Sequence, residues 1–382
     1  MNILIAPDSF KGSLEAARFC ELAKNAVESI LPDAQVVTMP MADGGEGMVD
    51  TLLSLAGSQK VSLTVSNPIG EPVEAYYNYL PESRTAIIEM AAASGLPLLQ
   101  AHQRQARHTS TLGTGELIRD ALDRGAKKLV LGLGGSATTD AGIGCLAALG
   151  FRFLDHNGDA VALNGEGLLS LASIQPPETD FAGIDVKVAC DINNPLYGER
   201  GAAYVFGPQK GATAEEVIQL DQGLRNFARV VQRDLGLDVA NIPGAGAAGG
   251  MGAGLVLIGG QLESGFQIVS ELLAFEQLFE TQDFDLVITG EGQFNEQSQY
   301  GKVPVEVAKV AKKHEVFVVG IVGGIDMDNA HIHALGIDAV FSITDRPLTL
   351  EECFAEAETL LFNLVQNITK LYFHKSTHQL TF

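Results

Sequence analysis

Both ends of this 382-residue chain carry one rhythm: an apolar run, a polar loop, an amphipathic helix, then another apolar run. Ile3 to Ala6 is continuously apolar, as a buried strand requires, and Gln35 to Met39 follows as a second. Between them, Ser13 is read as the cap of a helix reaching about Ile30, with Glu15 in its first turn. The last hundred residues repeat the pattern. Asp285 to Thr289 reads as a strand, Val303 to His314 as a helix and Val316 to Val322 as a strand. A short helix at Ala330–Leu335, a strand at Ala339–Ile343 and a closing helix from Leu350 to about Leu371 follow. Parallel strands need helical crossovers of this kind, so the expected fold class is α/β. The expected layout is a sheet domain built from both chain ends, residues 1–88 and 285–382, with a second α/β domain, 89–284, inserted.

The bulk composition narrows the partners. With 25 basic against 47 acidic side chains the formal charge is −22, which repels nucleic acid and anionic membrane surfaces. An anionic substrate must therefore be gathered by a locally positive site. Four scattered cysteines with no C-x-x-C pair fit neither a disulfide framework nor a zinc site. The first residues lack a signal-peptide pattern and no apolar run reaches membrane-spanning length. A cytoplasmic enzyme is the expectation, with a homo-oligomer left open. The eight histidines show no metal-ligand spacing.

Chemistry is expected at the ends of the apolar runs. Asp8-Ser9-Phe10-Lys11-Gly12-Ser13 places an acid and a lysine before a helix start, where free N–H groups favour anions. Asp43-Gly44-Gly45-Glu46-Gly47 sets two acids among three glycines, offering oxygen atoms to Mg²⁺. Leu129 to Leu133 runs as a strand into Gly134-Gly135-Ser136-Ala137-Thr138-Thr139-Asp140, the layout of a phosphate cradle without a Walker pattern. Gly244 to Gly250 matches G-x-G-x-x-G formally. Pro243 precedes it and no strand leads in, so a phosphate-loop or hinge role is kept and NAD is rejected. Thr289-Gly290-Glu291-Gly292 ends a strand, with Glu291 placed for a metal and Lys302 for phosphate.

The segment from Val186 to Ala212 adds an acid and a lysine. A strand, Val186–Val188, delivers Asp191 before the Asn193-Asn194-Pro195 turn. A second strand-like run, Ala203–Phe206, leads to Lys210 in a Gly-rich turn. Glycine-rich anion loops, dispersed carboxylates and placed lysines together point to phosphoryl transfer, which needs charge neutralisation and positioning above all.

At these loops the chain resembles the type-1 glycerate kinase family of bacteria. The segments are APDSFKGSL (6–14), MADGGEG (41–47), IIEMAAASGL (87–96), LGTGELI (112–118) and LGGSATTDAG (133–142). CDINNPL (190–196), VFGPQKGA (205–212), PGAGAAGGMGAG (243–254) and ITGEG with GK (288–302) complete the set. The resemblance implies ATP-dependent phosphorylation of D-glycerate, typically at the 2-hydroxyl. It implies two α/β domains, the one made from both chain ends being Rossmann- or flavodoxin-like, with a cleft between them. On this reading Asp191 or Glu291 holds Mg²⁺, and Lys11, Lys210 and Lys302 neutralise phosphate. Asp8 or Asp43 serves as general base; Gly134, Gly135, Ser136, Gly244, Gly246 and Gly290 approach the nucleotide. Asp8, Lys11, Asp43, Asp191 and Lys210 make up the expected catalytic set. Two departures stand out: Thr139 where the family usually has Asn, and Gln293-Phe294-Asn295 where it has a basic residue, an apolar one and Asp. The alternatives are a kinase for a related hydroxy acid, or a silent sensor of glycerate or nucleotide.

Overall fold

The computed structural model describes residues 1–45, 47–53, 55–299 and 301–378. Glu46, one of the two acids expected among the glycines, lies outside them. In chain order the strands begin with β1 (Asn2–Ile5), β2 (Gln35–Thr38), β3 (Gln59–Ser66), β4 (Pro72–Leu80), β5 (Thr85–Glu89) and β6 (Lys128–Gly132). They continue with β7 (Arg152–Leu154), β8 (Ser173–Gln175), β9 (Asp185–Ala189), β10 (Gln261–Glu263), β11 (Leu286–Phe294), β12 (Phe317–Ile325) and β13 (Ala339–Ser342). The chain forms two compact units, Met1–Asp43 with Val269–Phe382, and Gly44–Ile268.

The first unit holds a five-stranded sheet, β13-β12-β11-β1-β2, parallel throughout. Counted within the unit this is the doubly wound order 2-1-3-4-5. Ile3, Ile5, Ile288, Val319 and Ile321 form one face, buried beneath the helices Ala16–Ile30 and Leu350–His378. The first of these helices buries Phe19, Cys20, Ala23, Ala26 and Val27, a spacing of three and four that makes a single apolar stripe. Its N-cap is Glu15, with no side-chain cap bond. Ser13 sits instead in a tight turn closed by Phe10 N to Leu14 O at 2.7 Å and Leu14 N to Phe10 O at 2.9 Å. The expected cap, and with it a helix N-terminus at Lys11, is therefore corrected.

The second unit holds a six-stranded sheet, β10-β9-β6-β5-β4-β3. β5, β6, β9 and β10 run parallel, and β3 and β4 add an antiparallel hairpin at the edge. Because this hairpin pairs with β5, residues 44–88 belong to the inserted unit and not to the one made from the chain ends. Its other end falls at Ile268, before the expected 284. Two element assignments also change. Ala203–Phe206 is helical, within the helix Ala202–Phe206, and β11 continues through Glu291 to Phe294.

Candidate functional site

In the first unit three neighbouring ribbons each carry an acid. β1 runs into Asp8, β2 into Asp43, and β11 contains Glu291. The ladder extends past the strand ends: Ala6 N donates to Ile288 O at 2.8 Å, Asp8 N to Gly290 O at 2.8 Å and Met41 N to Pro7 O at 2.9 Å. Strand order reverses between β1 and β11, and doubly wound sheets bind ligands at the carboxyl ends of strands at that reversal. Asp8 and Glu291 flank it.

Lys302 immediately precedes the helix Val303–Lys313 and forms an ion pair with Asp43. Lys11 is exposed in the Phe10–Leu14 turn. Gly290, expected at the nucleotide, is a position in β11 whose carbonyl takes the Asp8 N–H. Glu291 is only 7% exposed, and its Oε1 is buried with no hydrogen-bond partner among the described residues. The Ser298 hydroxyl donates to the same carboxylate. Ser298 is in turn held by Asn295, whose N–H donates to Ser298 Oγ at 3.1 Å and whose carbonyl accepts Ser298 N at 2.9 Å.

These surroundings set the acidities. Burial, then the charge of Asp43, pushes Asp8 up to about 7, against the Ser9 N–H bond and Lys302, which favour the anion. Burial likewise pushes Glu291 up to about 7, partly opposed by Ser298 and Lys302. Burial works against charge on Lys302, but Asp43, Asp8 and Glu291 together hold its pKa above the ordinary lysine value. A carboxyl group titrating near neutrality can take a proton from a hydroxyl and release it again.

Oxygen donors and an unpartnered buried carboxylate oxygen are the chemistry Mg²⁺ takes. Among the described residues no three of His, Cys, Asp and Glu form a ready metal cage. Asp191 and Glu291, the two expected metal ligands, belong to different units.

In the second unit the carboxyl ends of β5, β6 and β9 are aligned, Glu89 pairing with Gly132 and Gly132 with Ala189. β6 runs into Gly134, half-buried, Gly135, exposed, and Ser136, 6% exposed. This loop is tied to its neighbours by Leu96 N to Gly135 O at 2.8 Å and Ala137 N to Ser94 O at 2.9 Å. Asp140, fully buried, anchors its far end. It accepts Thr111 N and Thr111 Oγ1, both at 2.8 Å, and Gly142 N at 3.1 Å. Burial raises the Asp140 pKa, while those donors oppose the rise.

Lys210 is not an exposed turn residue. It ends the short 3-10 turn Pro208–Lys210, is 2% exposed, and turns its amine inward. Nζ donates to Thr138 O at 2.6 Å and Ser136 Oγ at 3.1 Å. Burial lowers its pKa to about 7, and the Asp140 charge works the other way.

Asp191 is exposed beyond β9, its Oδ1 accepting Gly265 N at 3.1 Å. Gly244 lies against Cys190, and Gly246 N donates to Asn194 O at 3.0 Å, so these two glycines bind the 190–196 loop to their own segment. Gly249, with φ +70°, lies against Thr138 O, where a Cβ has no room. Sequence reasoning gave no role to Ser298, Thr111 or Glu89, whose Oε1 accepts Val49 N at 2.7 Å. The signals available were an Asn-x-x-Ser turn for the first and an acid at a strand end for the last.

A doubly wound parallel sheet with charged side chains at the carboxyl ends of its strands places this chain among the α/β proteins. Comparison with known proteins gives the particular family. Residues 3–373 match the model of the glycerate kinase family. The chain is 44% identical to a glycerate kinase of Bacillus cereus, over 97% of this chain and 98% of the relative. It is 43% identical to glycerate 2-kinase of Escherichia coli, over 96% and 97%. A crystal structure of a candidate glycerate kinase 2 from Salmonella typhimurium LT2 superimposes with a TM-score of 0.89 at 42% identity, covering 99% of each chain. The chain belongs to the glycerate kinase family. The two relatives just named are kinases, and among the described residues no helix is long and apolar enough to cross a membrane.

Proposed function

We propose that this protein transfers the terminal phosphoryl group of ATP to the 2-hydroxyl of D-glycerate, yielding ADP and 2-phosphoglycerate. The observation carrying this reading is the acid cluster at the strand-order reversal, Asp8 and Glu291 with Asp43 and Lys302, in a chain of this family. The name of the Escherichia coli relative supports the 2-position.

Asp8 is the proposed base. As the glycerate oxygen forms its bond to the γ-phosphorus, the hydroxyl proton passes to the Asp8 carboxylate, and the bond to the leaving ADP oxygen breaks. A carboxyl pKa of about 7 suits both receipt and release of that proton at neutral pH. Asp43 holds Lys302 in place and keeps the Asp8 pKa high. Glu291, with an oxygen unpartnered among the described residues, or else Asp191 in the other unit, is the residue that would hold Mg²⁺, whose charge would offset that of the phosphates. In the first unit Lys302 and Lys11 would offset anionic oxygens, and in the second the Gly134–Ser136 loop would present donors to such oxygens. Soluble partners are thus ATP, Mg²⁺ and D-glycerate.

The test is ³¹P NMR of the purified protein with D-glycerate, ATP and Mg²⁺. A 2-phosphoglycerate resonance growing with that of ADP is expected. A 3-phosphoglycerate signal overturns the assigned hydroxyl, and ATP left intact overturns the reading as a whole.

A further inference from the structure

Lys210 poses a problem of buried charge. Its side chain is 2% exposed, and among the described residues its amine contacts no carboxylate, only Ser136 Oγ and Thr138 O. A buried amine spent on neutral oxygens is there for what it does to them. Ser136 Oγ accepts from Lys210 Nζ at 3.1 Å and from Thr138 N at 3.2 Å. A hydroxyl oxygen has two lone pairs, and both are filled. Its hydrogen then has only long internal acceptors, Thr138 Oγ1 at 3.3 Å and Thr138 O at 3.4 Å. The second of these already takes the 2.6 Å bond from Lys210. Ser136 also follows the exposed Gly135, at the carboxyl end of β6 where ligands of parallel sheets are met.

We propose that Lys210 is a positioning residue that acts through Ser136: by helping to fill the lone pairs of Ser136 Oγ, it commits that hydroxyl to donate its hydrogen to an anionic oxygen of the ligand. The oxygen belongs to a phosphate of the nucleotide or to the carboxylate of the hydroxy acid. This rests on the kinase reading above for its source of anion, but not for its geometry.

A double-mutant cycle separates this role from direct contact. Lys210→Met and Ser136→Ala are each expected to lower kcat/KM by about tenfold, since each removes the same hydrogen bond to ligand. The double variant should be no worse than the weaker single variant within about twofold. Multiplied losses of about a hundredfold would overturn the proposal and return Lys210 to the ligand itself. An increase confined to the KM for ATP identifies the oxygen as phosphate, and one confined to the KM for glycerate identifies it as carboxylate. Should Lys210→Met fail to fold, Lys210→Gln enters the same cycle. If the wild type turns over no glycerate, hydrogen exchange at residues 134–138 still decides the loop geometry. Exchange must quicken in the Lys210 variant, and unchanged exchange overturns the tie to Ser136.

Discussion

Asp8 faces two opposing demands. A proton acceptor near neutrality must be buried, and burial makes its charge costly to the fold. Its folded pKa of about 7 lies above the ordinary 3.8, so the folded state binds protons that the unfolded chain releases. Stability from this group is therefore greatest below about pH 4, falls as pH rises toward 7, and is lowest above that. Asp8→Asn removes the cost. The variant is expected to melt above wild type at pH 8 with the gap closing toward pH 5, while kcat falls by about 10²-fold or more. Equal gaps at both pH values, or an unchanged kcat, would remove Asp8 from the chemistry. The acids themselves were legible, because Asp8, Asp43 and Glu291 each follow or end an apolar run. Their acidities were not, since these depend on which ribbons lie side by side. Ser298 shows the same limit: nothing local says that its hydroxyl reaches Glu291.

Among the elements, the loop after β6 depends on one carboxylate. Asp140 accepts four N–H or O–H donors, from Thr111 twice, Gly142 and Gly144, all in the buried interior. Asp140→Ala leaves these donors without an acceptor and should destabilise the protein by about 3 kcal/mol or more, measured by urea denaturation. A loss under about 1 kcal/mol would mean that water or a rearranged Thr111 replaces the carboxylate. The Gly-Gly-Ser signal located this loop in the sequence, but Ala203–Phe206 and β11 were misread for instructive reasons. Five apolar residues between Gly201 and Gly207 cannot separate helix from strand by period, and here a helical turn wins. In β11, Gly290-Glu291-Gly292 looks like a loop. It stays in the sheet because β12 supplies a parallel partner as far as Ile325, opposite Phe294. In β11, tertiary pairing overrides local preference.

On the scale of the whole chain, a formal charge of −22 acts on every state of the protein. Like charges repel more strongly in the compact state, so screening favours folding. The melting midpoint is expected to rise by a few degrees between about 20 mM and 500 mM NaCl, where the Debye length shortens from above 10 Å to below 5 Å. A falling midpoint would mean that specific ion pairs such as Arg18–Glu358 outweigh the net repulsion. The parallel sheet built from both ends was legible from its repeating rhythm. The boundary at 44 was not, although alternation in Val61, Leu63 and Val65 marks β3, because pairing of the β3–β4 hairpin with β5 is a choice among sheets.

That sheet has a consequence for how the protein is made. β1 pairs with β11 across 283 positions, Ile3 opposite Leu286, so of its two neighbours β2 is made early and β11 long afterwards. At about 5–20 residues per second, the 225 residues from Gly44 to Ile268 take roughly 10–45 s to synthesise. Through that interval β1 has only β2 beside it, and Ile3-Leu4-Ile5 and the stripe of the first helix wait for the rest of their sheet, while the intervening unit has every strand it needs. Nascent chains halted before β11 thus present the N-terminal segment to chaperones, and release comes only with the final quarter of the chain.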